Sequence, residues 1–245
     1  MGNFSRRSDV IDNRFLMKHQ QNAFLRLWPL GVAAGLGLGL VFGNLQPSIS
    51  STAGTYAKKP LPVAKPAQGQ EVATFAGGCF WSMEAMFQQL KGVSKVQPGY
   101  SGGSVANPGY EQVGTSKTGH AESINIIFDP KVISYTDLLE VLLTMRDPTT
   151  KNQQGPDVGP QYRSAIFTRG AAQKSAAQAM IKKIEAKGIW KKPIVTEVVP
   201  FKAFYRAEDY HLDYFKSNPN LGYCSAVIAP KIADLKVKFK HLVKS

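Results

Sequence analysis

The junction around Cys79 constrains the fold of this chain more than any other stretch. An apolar run, Val72–Ala76, leads into Gly77-Gly78, and the cysteine follows directly. Behind it, apolar side chains between Met83 and Leu90 recur at the spacing of one helix face. The two glycines permit a tight turn and a close approach of other groups to the backbone. The pattern therefore predicts a strand, a glycine turn and a helix, with Cys79 at the helix N-terminus.

The position of Cys79 favours a chemical role. Free N–H groups and the positive end of the helix dipole stabilise an anion at a helix N-terminus. A thiolate there is expected to have a pKa lowered toward neutrality, and the thiolate is the nucleophilic form of cysteine. The alternative is a buried structural cysteine, because free cysteine is among the most buried residue types. The local pattern leaves both interpretations open.

Composition limits the classes of protein that the chain can represent. With 245 residues, 43% of them hydrophobic, the chain can bury a full core and has room for extra segments. The net charge of +13 fits an anionic lipid surface or an acidic partner. The chain has no zinc-finger spacing, recognition-helix signature or aromatic ribonucleoprotein motif, so we predict no nucleic-acid partner.

The cysteines and histidines limit the kinds of site. Cys79 and Cys224 are the two cysteines, which excludes a multi-disulfide scaffold and a cysteine-rich zinc site. They leave either one static disulfide or one redox pair. The four histidines show no HExxH spacing, so we predict no metal site.

Three segments precede the predicted domain. Residues 1–26 are polar and basic, and residues 27–45 carry no charged side chain. The uncharged span has the length of a transmembrane helix and also fits the h-region of a signal peptide. The basic flank predicts that the domain lies on the non-cytoplasmic side of a membrane, periplasmic or extracellular, and a cleaved and secreted product is the alternative. Residues 46–70, rich in Pro, Ser and Thr, are predicted to be a linker.

From residue 71 to residue 245 strand and helix patterns alternate. The predicted strands are Val72–Ala76, Val93–Val96, Ala121–Phe128, Tyr162–Thr168 and Ile194–Val199. The predicted helices are the one behind Cys79 and those at Ser134–Met145, Ala171–Lys187, Ala207–Lys216 and Ile232–Val243. This alternation favours an α/β layered domain.

Polar side chains lie in loops just before several of these strands. They include the Tyr110 segment, His120-Ala121-Glu122 and Asp157–Tyr162. Loops at strand ends are where α/β proteins place their sites. A glutamate at the start of an apolar strand is expected to be partly desolvated, which raises its pKa and makes it a proton donor near neutral pH. The alternative for Glu122 is a strand-edge carboxylate in solvent.

Five motifs, in order along the chain, resemble those of the A-type methionine sulfoxide reductases, the peptide-methionine (S)-S-oxide reductases. They are Gly77-Gly78-Cys79-Phe80-Trp81, Gly119-His120-Ala121-Glu122, Gly159-Pro160-Gln161-Tyr162-Arg163-Ser164, Ala207-Glu208-Asp209-Tyr210-His211 and Gly222-Tyr223-Cys224. The resemblance covers residue 72 to the C-terminal tail. It implies a catalytic domain over residues 71–245 with an α/β (α+β) two-layer sandwich around a mixed, ferredoxin-like sheet.

The resemblance also implies roles for single residues around a sulfoxide. Cys79 would be the nucleophile on the sulfoxide sulfur, and Phe80 with Trp81 would form the apolar pocket for the substrate methyl group. Tyr110 and Tyr162 would surround the sulfoxide oxygen.

Three further roles follow from the same resemblance. Glu122 would give the oxygen a proton, and Asp157 would contact the substrate main chain. Cys224 would be the resolving cysteine, closing a disulfide with the sulfenic acid of Cys79.

The implied partners are oxidised proteins or peptides, with free methionine sulfoxide as a further substrate. No cofactor is implied beyond an external dithiol reductant of the thioredoxin-like class. Because the chain has no third cysteine, direct reduction of the Cys79–Cys224 disulfide is expected. The N-terminal segment adds a membrane as the last expected partner.

Two other functions remain to be weighed. His120, with Asp157 or Glu122 as a third member, would suit a Cys–His hydrolase, although such an enzyme explains neither the aromatic pair nor the second cysteine. The other is a membrane-tethered binding domain with a static disulfide. A free-thiol titration separates the three, because only the reductase cycles between two thiols and none.

Overall fold

The structure, a computed structural model, describes residues 60–244 of the chain. The predicted basic segment, the membrane or signal segment and the first part of the predicted linker lie outside the described residues. Within residues 60–244, no helix combines the length and the apolar character needed to cross a membrane.

Within the described part, a mixed sheet of six strands carries the fold in the order β7-β6-β1-β3-β2-β8. All neighbours run antiparallel except β6 and β7, which are parallel. The six strands are β1 (Glu71–Gly77), β2 (Val93–Ser101), β3 (Ala121–Phe128), β6 (Ser164–Thr168), β7 (Glu197–Pro200) and β8 (Phe204–Arg206). A separate two-stranded ribbon pairs β4 (Gln153–Gln154) with β5 (Asp157–Val158).

Helices and single turns connect the strands. The α-helices are α1 (Phe80–Phe87), α2 (Tyr110–Gly114), α3 (Tyr135–Met145), α4 (Ala171–Ala186), α5 (Tyr214–Ser217) and α6 (Ala229–Lys238). Two 3₁₀ turns cover Pro160–Tyr162 and Asp209–His211, and a π-helical turn covers Cys224–Ile228.

The connections explain why the sheet is mixed. Elements β1, α1, β2, β3, α3 and β6 occur as β-α-β-β-α-β, and their four strands lie side by side in the order β6-β1-β3-β2. This is the ferredoxin-like connection pattern. Strand β7 then follows helix α4 and pairs parallel to β6, as a helical crossover requires. The predicted α/β class is confirmed.

One core joins the helices to the sheet. Its buried side chains come from alternate positions of the inner strands, such as Phe75 and Ile124, and from the inner faces of α1, α3, α4 and α6. The four methionines of the described part, Met83, Met86, Met145 and Met180, are all at most 8% exposed. Helix α1 alone supplies Met83 and Met86, so it is buried along most of its length.

Several element boundaries differ from the sequence prediction. Strand β2 continues to Ser101, because it pairs with β3 along its length and with β8 at its end. The helix predicted at 207–216 is wrong: a 3₁₀ turn and the four-residue α5 replace it. Asp213 separates them with a left-handed φ of 51°, which breaks a helix.

Both flanks of the domain contact it. The Ala64 N–H donates to Gln97 Oε1 at 2.7 Å, so the described end of the predicted linker lies against β2. At the other flank, the Lys91 N–H donates to Leu242 O at 2.8 Å, and the Lys244 N–H donates to Gln89 O at 2.8 Å. These bonds attach the chain around residue 243 to the end of α1.

Candidate active site

Cys79 is the N-cap residue of α1 and is 6% exposed. The turn before it depends on Gly78, whose φ is +90°. A Cβ on Gly78 would collide with Arg146 Nη2 and lie 2.6 Å from Gln154 Cβ. The glycine is therefore required by conformation and by space, and it lets a charged side chain lie directly under the cysteine turn.

The pKa of the Cys79 thiol is raised, which contradicts the lowering expected from its helix position. Burial is the largest cause, and the negative charges of Glu122 and Asp157 raise the pKa further. The Ser82 amide and the Tyr223 hydroxyl act in the opposite direction without reversing the shift. Desolvation of a thiolate outweighs one helix terminus, so the resting protein holds a neutral thiol.

Glu122 lies at the start of β3 and is 3% exposed, which excludes the solvent-facing alternative. Its Oε2 accepts a hydrogen bond from the Phe80 N–H at 2.9 Å, and this bond brings the carboxyl group beside the first turn of α1. Burial raises the pKa of Glu122 to about 8, with a smaller contribution from the charge of Asp157. The carboxyl group is therefore protonated at neutral pH, as the sequence argument expected.

Aromatic rings surround the start of α1. The Phe80 ring stacks on Tyr110 with centroids 6.2 Å apart, and the Trp81 ring stacks on Tyr214 at 3.7 Å and 6°. Trp81 Nε1 also donates a hydrogen bond to His211 Nδ1 at 3.0 Å, which fixes the plane of the indole. The arrangement provides an apolar surface next to Cys79.

Two tyrosine hydroxyl groups share this site. Burial raises the pKa of both Tyr110 and Tyr162, and the charges of Glu122 and Cys79 raise both pKa values further. The Tyr110 N–H donates to Glu208 Oε1 at 3.1 Å, which ties the start of α2 to the 208–211 segment. Both phenols therefore stay protonated and serve as hydrogen-bond donors.

Asp157 lies in β5, and its charge acts on both Cys79 and Glu122. Its Oδ2 accepts a hydrogen bond from the Tyr223 hydroxyl at 2.7 Å. Burial raises the pKa of Asp157, and the bond to Tyr223 and the charge of Arg146 oppose that rise. This carboxylate therefore has a protein partner that directly precedes Cys224.

Cys224 begins the π-helical turn and is fully buried. Both cysteines are free thiols. Burial raises the pKa of Cys224. Burial also raises the pKa of Tyr214, and the charges of Cys224 and Cys79 raise it further. The structure therefore represents the reduced chain, with Tyr214 electrostatically coupled to both thiols.

His120 does not contact Cys79. The Gly103 N–H donates to its Nδ1 at 3.1 Å, and its Nε2 lies 2.7 Å from Val105 O. Since Nδ1 accepts, Nε2 carries the proton, and both ring nitrogens are engaged by the backbone. A Cys–His hydrolase arrangement is therefore absent at this pair. Residues 60–244 also hold no cluster of His, Cys, Asp and Glu suited to a metal ion.

Sequence reasoning missed several neighbours of the site. His211 and Tyr223 lie within two of the five motifs, and that membership was the available signal in the sequence. Arg146 and Tyr214 gave no signal, because they meet α1 only through long-range contacts.

Comparisons with known proteins agree on one family. The family model described as peptide methionine sulfoxide reductase matches residues 71–243. The chain is 51% identical over 172 residues to a peptide methionine sulfoxide reductase of Deinococcus radiodurans, covering 70% of this chain and 84% of that protein. It is 54% identical over 169 residues to one from Sulfolobus acidocaldarius, covering 69% of this chain and 95% of that protein.

Solved structures of similar proteins give the same result. Methionine sulfoxide reductase A of Corynebacterium diphtheriae matches with a TM-score of 0.59 and 34% identity, covering 64% of this chain and 79% of that one. Mxr1 of Saccharomyces cerevisiae in its reduced form matches with a TM-score of 0.61 and 32% identity, covering 65% of this chain and 92% of that one.

Proposed function

Because the chain belongs to the peptide methionine sulfoxide reductase family and is an oxidoreductase of that class, we propose that it reduces the S epimer of methionine sulfoxide. The observation that carries the proposal is the pairing of a buried cysteine with a buried, protonated carboxyl group inside an aromatic pocket. Cys79 supplies the nucleophile and Glu122 supplies the proton. The reaction returns oxidised methionine to methionine, which makes the enzyme a repair enzyme.

The first step needs the acid because a sulfoxide oxygen leaves its sulfur only when protonated. Glu122 protonates the oxygen, and the hydroxyl groups of Tyr110 and Tyr162 donate hydrogen bonds to it. The protonated sulfoxide carries positive charge, which favours the Cys79 thiolate and opposes the effect of burial. The rings of Phe80 and Trp81 exclude water and receive the substrate methyl group.

In the attack, the oxygen passes from the substrate sulfur to the Cys79 sulfur, and two electrons pass from the Cys79 sulfur to the substrate sulfur. The substrate sulfur is reduced to a thioether, and the Cys79 sulfur is oxidised to sulfenic acid. Over the whole step, Glu122 regains the proton that the thiol gives up. Asp157 accepts a hydrogen bond from the substrate main chain, and the proposed substrates are oxidised peptides and proteins together with free methionine sulfoxide.

The second step restores Cys79. The Cys224 thiol condenses with the sulfenic acid, which releases water and forms the Cys79–Cys224 disulfide. An external dithiol of the thioredoxin-like class then reduces this disulfide by exchange.

The test uses the full chain with two peptides that differ only in the configuration at the sulfoxide sulfur. With dithiothreitol, the S epimer should be converted to the methionine peptide, and mass spectrometry should detect no conversion of the R epimer. Cys79→Ser should abolish the reaction, because serine is not ionised near neutral pH and does not form a sulfenic acid. Turnover by that variant would remove Cys79 from the mechanism.

We also propose that residues 27–45 place the catalytic domain on the non-cytoplasmic side of a membrane as an uncleaved anchor. The support is the uncharged span with its basic flank at residues 1–26. Alkaline carbonate extraction and intact mass of the expressed full chain test this proposal. A membrane-retained product of full mass is expected, and a soluble product starting near residue 54 would instead establish cleavage and secretion.

A further inference from the structure

A fully buried arginine lies directly behind the catalytic turn. Arg146 follows the last residue of α3 and is 1% exposed. Its Nε donates a hydrogen bond to Gly77 O, and its Nη1 donates to Ser82 Oγ at 3.1 Å. These two partners precede and follow Cys79, so one guanidinium group spans the cysteine turn from both sides.

The space beside Gly78 is shaped around the same group. A Cβ at this position would collide with Nη2 of Arg146. The glycine between the strand and the cysteine is therefore needed for the turn and also for the approach of the cation. The guanidinium group of Arg146 thus lies against the backbone of Gly78, in the space that a side chain at this position would need.

Among residues 60–244, Arg146 forms no hydrogen bond and no ion pair with a carboxylate, although the charge of Asp157 acts on it from a greater distance. Its two hydrogen bonds go to a carbonyl and a hydroxyl group, and Nη2 has no hydrogen-bond partner within that range. A buried cation without a directly bonded anion is costly, because the charges of Asp157, Cys79 and Tyr223 offset only part of its desolvation. An arginine does not avoid that cost by losing its proton. The arrangement is explained if the compensating anion forms during the reaction.

We propose that Arg146 is a positioning residue, whose buried guanidinium group holds the Gly77–Cys79 turn and favours the Cys79 thiolate by its fixed positive charge. This inference deepens the proposed function, because it rests on Cys79 being the nucleophile. In this proposal, the Cys79 thiolate that forms during the reaction is the anion that compensates the positive charge of Arg146. It also explains how a thiol surrounded by carboxyl groups becomes reactive.

Several other charged or titratable groups act on Cys79. They are Glu122 on β3, Asp157 on β5, Tyr223 before the π-helical turn, Lys231 on α6, and the phenols Tyr110, Tyr162 and Tyr214. The acids among them oppose the thiolate when they are ionised. Lys231 is the other cation, but its pKa is lowered to about 8, mainly by burial, so its charge is lost in the alkaline range. Burial lowers the pKa of Arg146 as well, and the charges of Tyr223, Cys79 and Asp157 oppose that lowering. A guanidinium group starts from a much higher pKa than an ammonium group, so Arg146 is the more persistent of the two cations.

The test measures alkylation of Cys79 by iodoacetamide in the full chain, with Cys224→Ser in every protein so that one thiol reacts. Arg146→Gln keeps a donor for Gly77 O but removes the charge. At each pH below the midpoint of the profile, its rate should be about tenfold lower than that of the parent, which corresponds to a thiol pKa about one pH unit higher. Arg146→Lys keeps the charge and should stay within about threefold of the parent.

Arg169→Gln is the matched control. Arg169 also donates hydrogen bonds to two side chains, Thr74 and Asn125, but its charge does not act on Cys79. The control should leave the alkylation profile unchanged.

The outcomes separate charge from structure. An unchanged profile in folded Arg146→Gln would overturn the proposal. If Arg146→Gln does not fold, Arg146→Lys decides, because a tenfold loss in that folded variant would show that charge is not what matters. No sulfoxide is present in this assay. Its result therefore tests the proposed role of Arg146 independently of the proposal that the protein reduces methionine sulfoxide.

Discussion

Glu84 and Glu122 are both buried and have similarly raised pKa values, but their side chains have different neighbours. Burial raises the pKa of both Glu84 and Glu122 to about 8. Glu84 Oε1 accepts a hydrogen bond from the Asp213 N–H at 3.2 Å, on the side of α1 that packs against α5. Glu122 instead faces the thiol of Cys79. One titration is therefore expected to govern catalysis, and the other is expected to govern stability.

We predict that Glu122→Gln slows sulfoxide reduction by roughly 10²- to 10⁴-fold, because an amide does not transfer a proton. In the parent protein, kcat/KM should fall as the pH rises through about 8, since the Glu122 proton is lost there. The variant should lack this fall. The measurement is kcat/KM for a peptide sulfoxide between pH 6 and 10.

Glu84→Gln serves as the control for that profile. It removes a carboxyl group with a similarly raised pKa from α1, the helix that begins after Cys79, and it should retain the fall in activity near pH 8. If the fall disappears in Glu84→Gln and persists in Glu122→Gln, the assignment of the acid is wrong.

A second prediction at the residue scale concerns the resolving thiol. Cys224→Ser should release one equivalent of methionine per enzyme and then stop when a protein dithiol is the reductant, because no disulfide forms. Quenched-flow measurement of methionine against enzyme concentration gives the burst directly. Continued turnover with the protein dithiol would show that Cys224 is a structural residue, and small thiols serve as the positive control for an active Cys79.

Residue identities were easier to predict than residue environments. Cys79 and Glu122 stand out in the sequence because each lies at the boundary between a loop and an apolar element. The direction of the Cys79 pKa was nevertheless wrong, since carboxyl groups from β3 and β5 meet the thiol only after the sheet forms. Arg146 was missed for the same reason.

At the scale of elements, α1 depends on its contact with α5. Asp213 holds a left-handed conformation before α5, and Gln88 Nε2 donates to its Oδ1 at 2.9 Å. Glu84 accepts from the backbone at the same place. Glu84 in α1 and Gln88, the C-cap residue of α1, thus hold Asp213 in its left-handed conformation. Tyr214, which follows Asp213, stacks on Trp81.

We predict that Glu84→Gln stabilises the protein relative to the parent as the pH rises from about 4.5 to about 8. The folded parent holds the Glu84 proton up to about pH 8, whereas the unfolded chain loses it near 4.5, so the parent loses stability across this window. Each pKa unit corresponds to about 1.4 kcal/mol, so the change is on the order of a few kcal/mol.

Urea unfolding of both proteins at pH 5 and at pH 8 checks this prediction. The contribution of Glu122 is common to both proteins and cancels in the difference. A difference in unfolding free energy that stays constant with pH would mean that Glu84 is not protonated in the folded state.

Elements with strong local signals were predicted well. Strand β3 has the predicted bounds because its apolar run is continuous, and α3 begins after Ser134, whose Oγ accepts from the Asp137 N–H at 3.0 Å. The 3₁₀ turn at Asp209–His211 and the π-helical turn at Cys224–Ile228 were missed. Tertiary contacts, such as the hydrogen bond from Tyr223 to Asp157, determine the backbone conformation of these turns. The sequence has no apolar periodicity there that would predict them.

At the scale of the whole molecule, the methionines of the described part are shielded by the core. In hydrogen peroxide, we expect Met83, Met86, Met145 and Met180 to oxidise at least about tenfold more slowly in the folded chain than in guanidinium, since oxidation requires local opening. Peptide mass spectrometry of a Cys79→Ser, Cys224→Ser variant measures each site. Equal rates in both states would show that the core admits the oxidant.

The burial of these methionines has a consequence for survival during oxidative stress. We expect an oxidant that forms methionine sulfoxide on other proteins to leave these four buried side chains intact. Met83 and Met86 matter most, because a polar sulfoxide under α1 would disturb the helix that carries Cys79. If the chain acts as proposed, oxidative damage to other proteins would therefore raise the demand for reduction without lowering the capacity of the catalytic domain to carry it out.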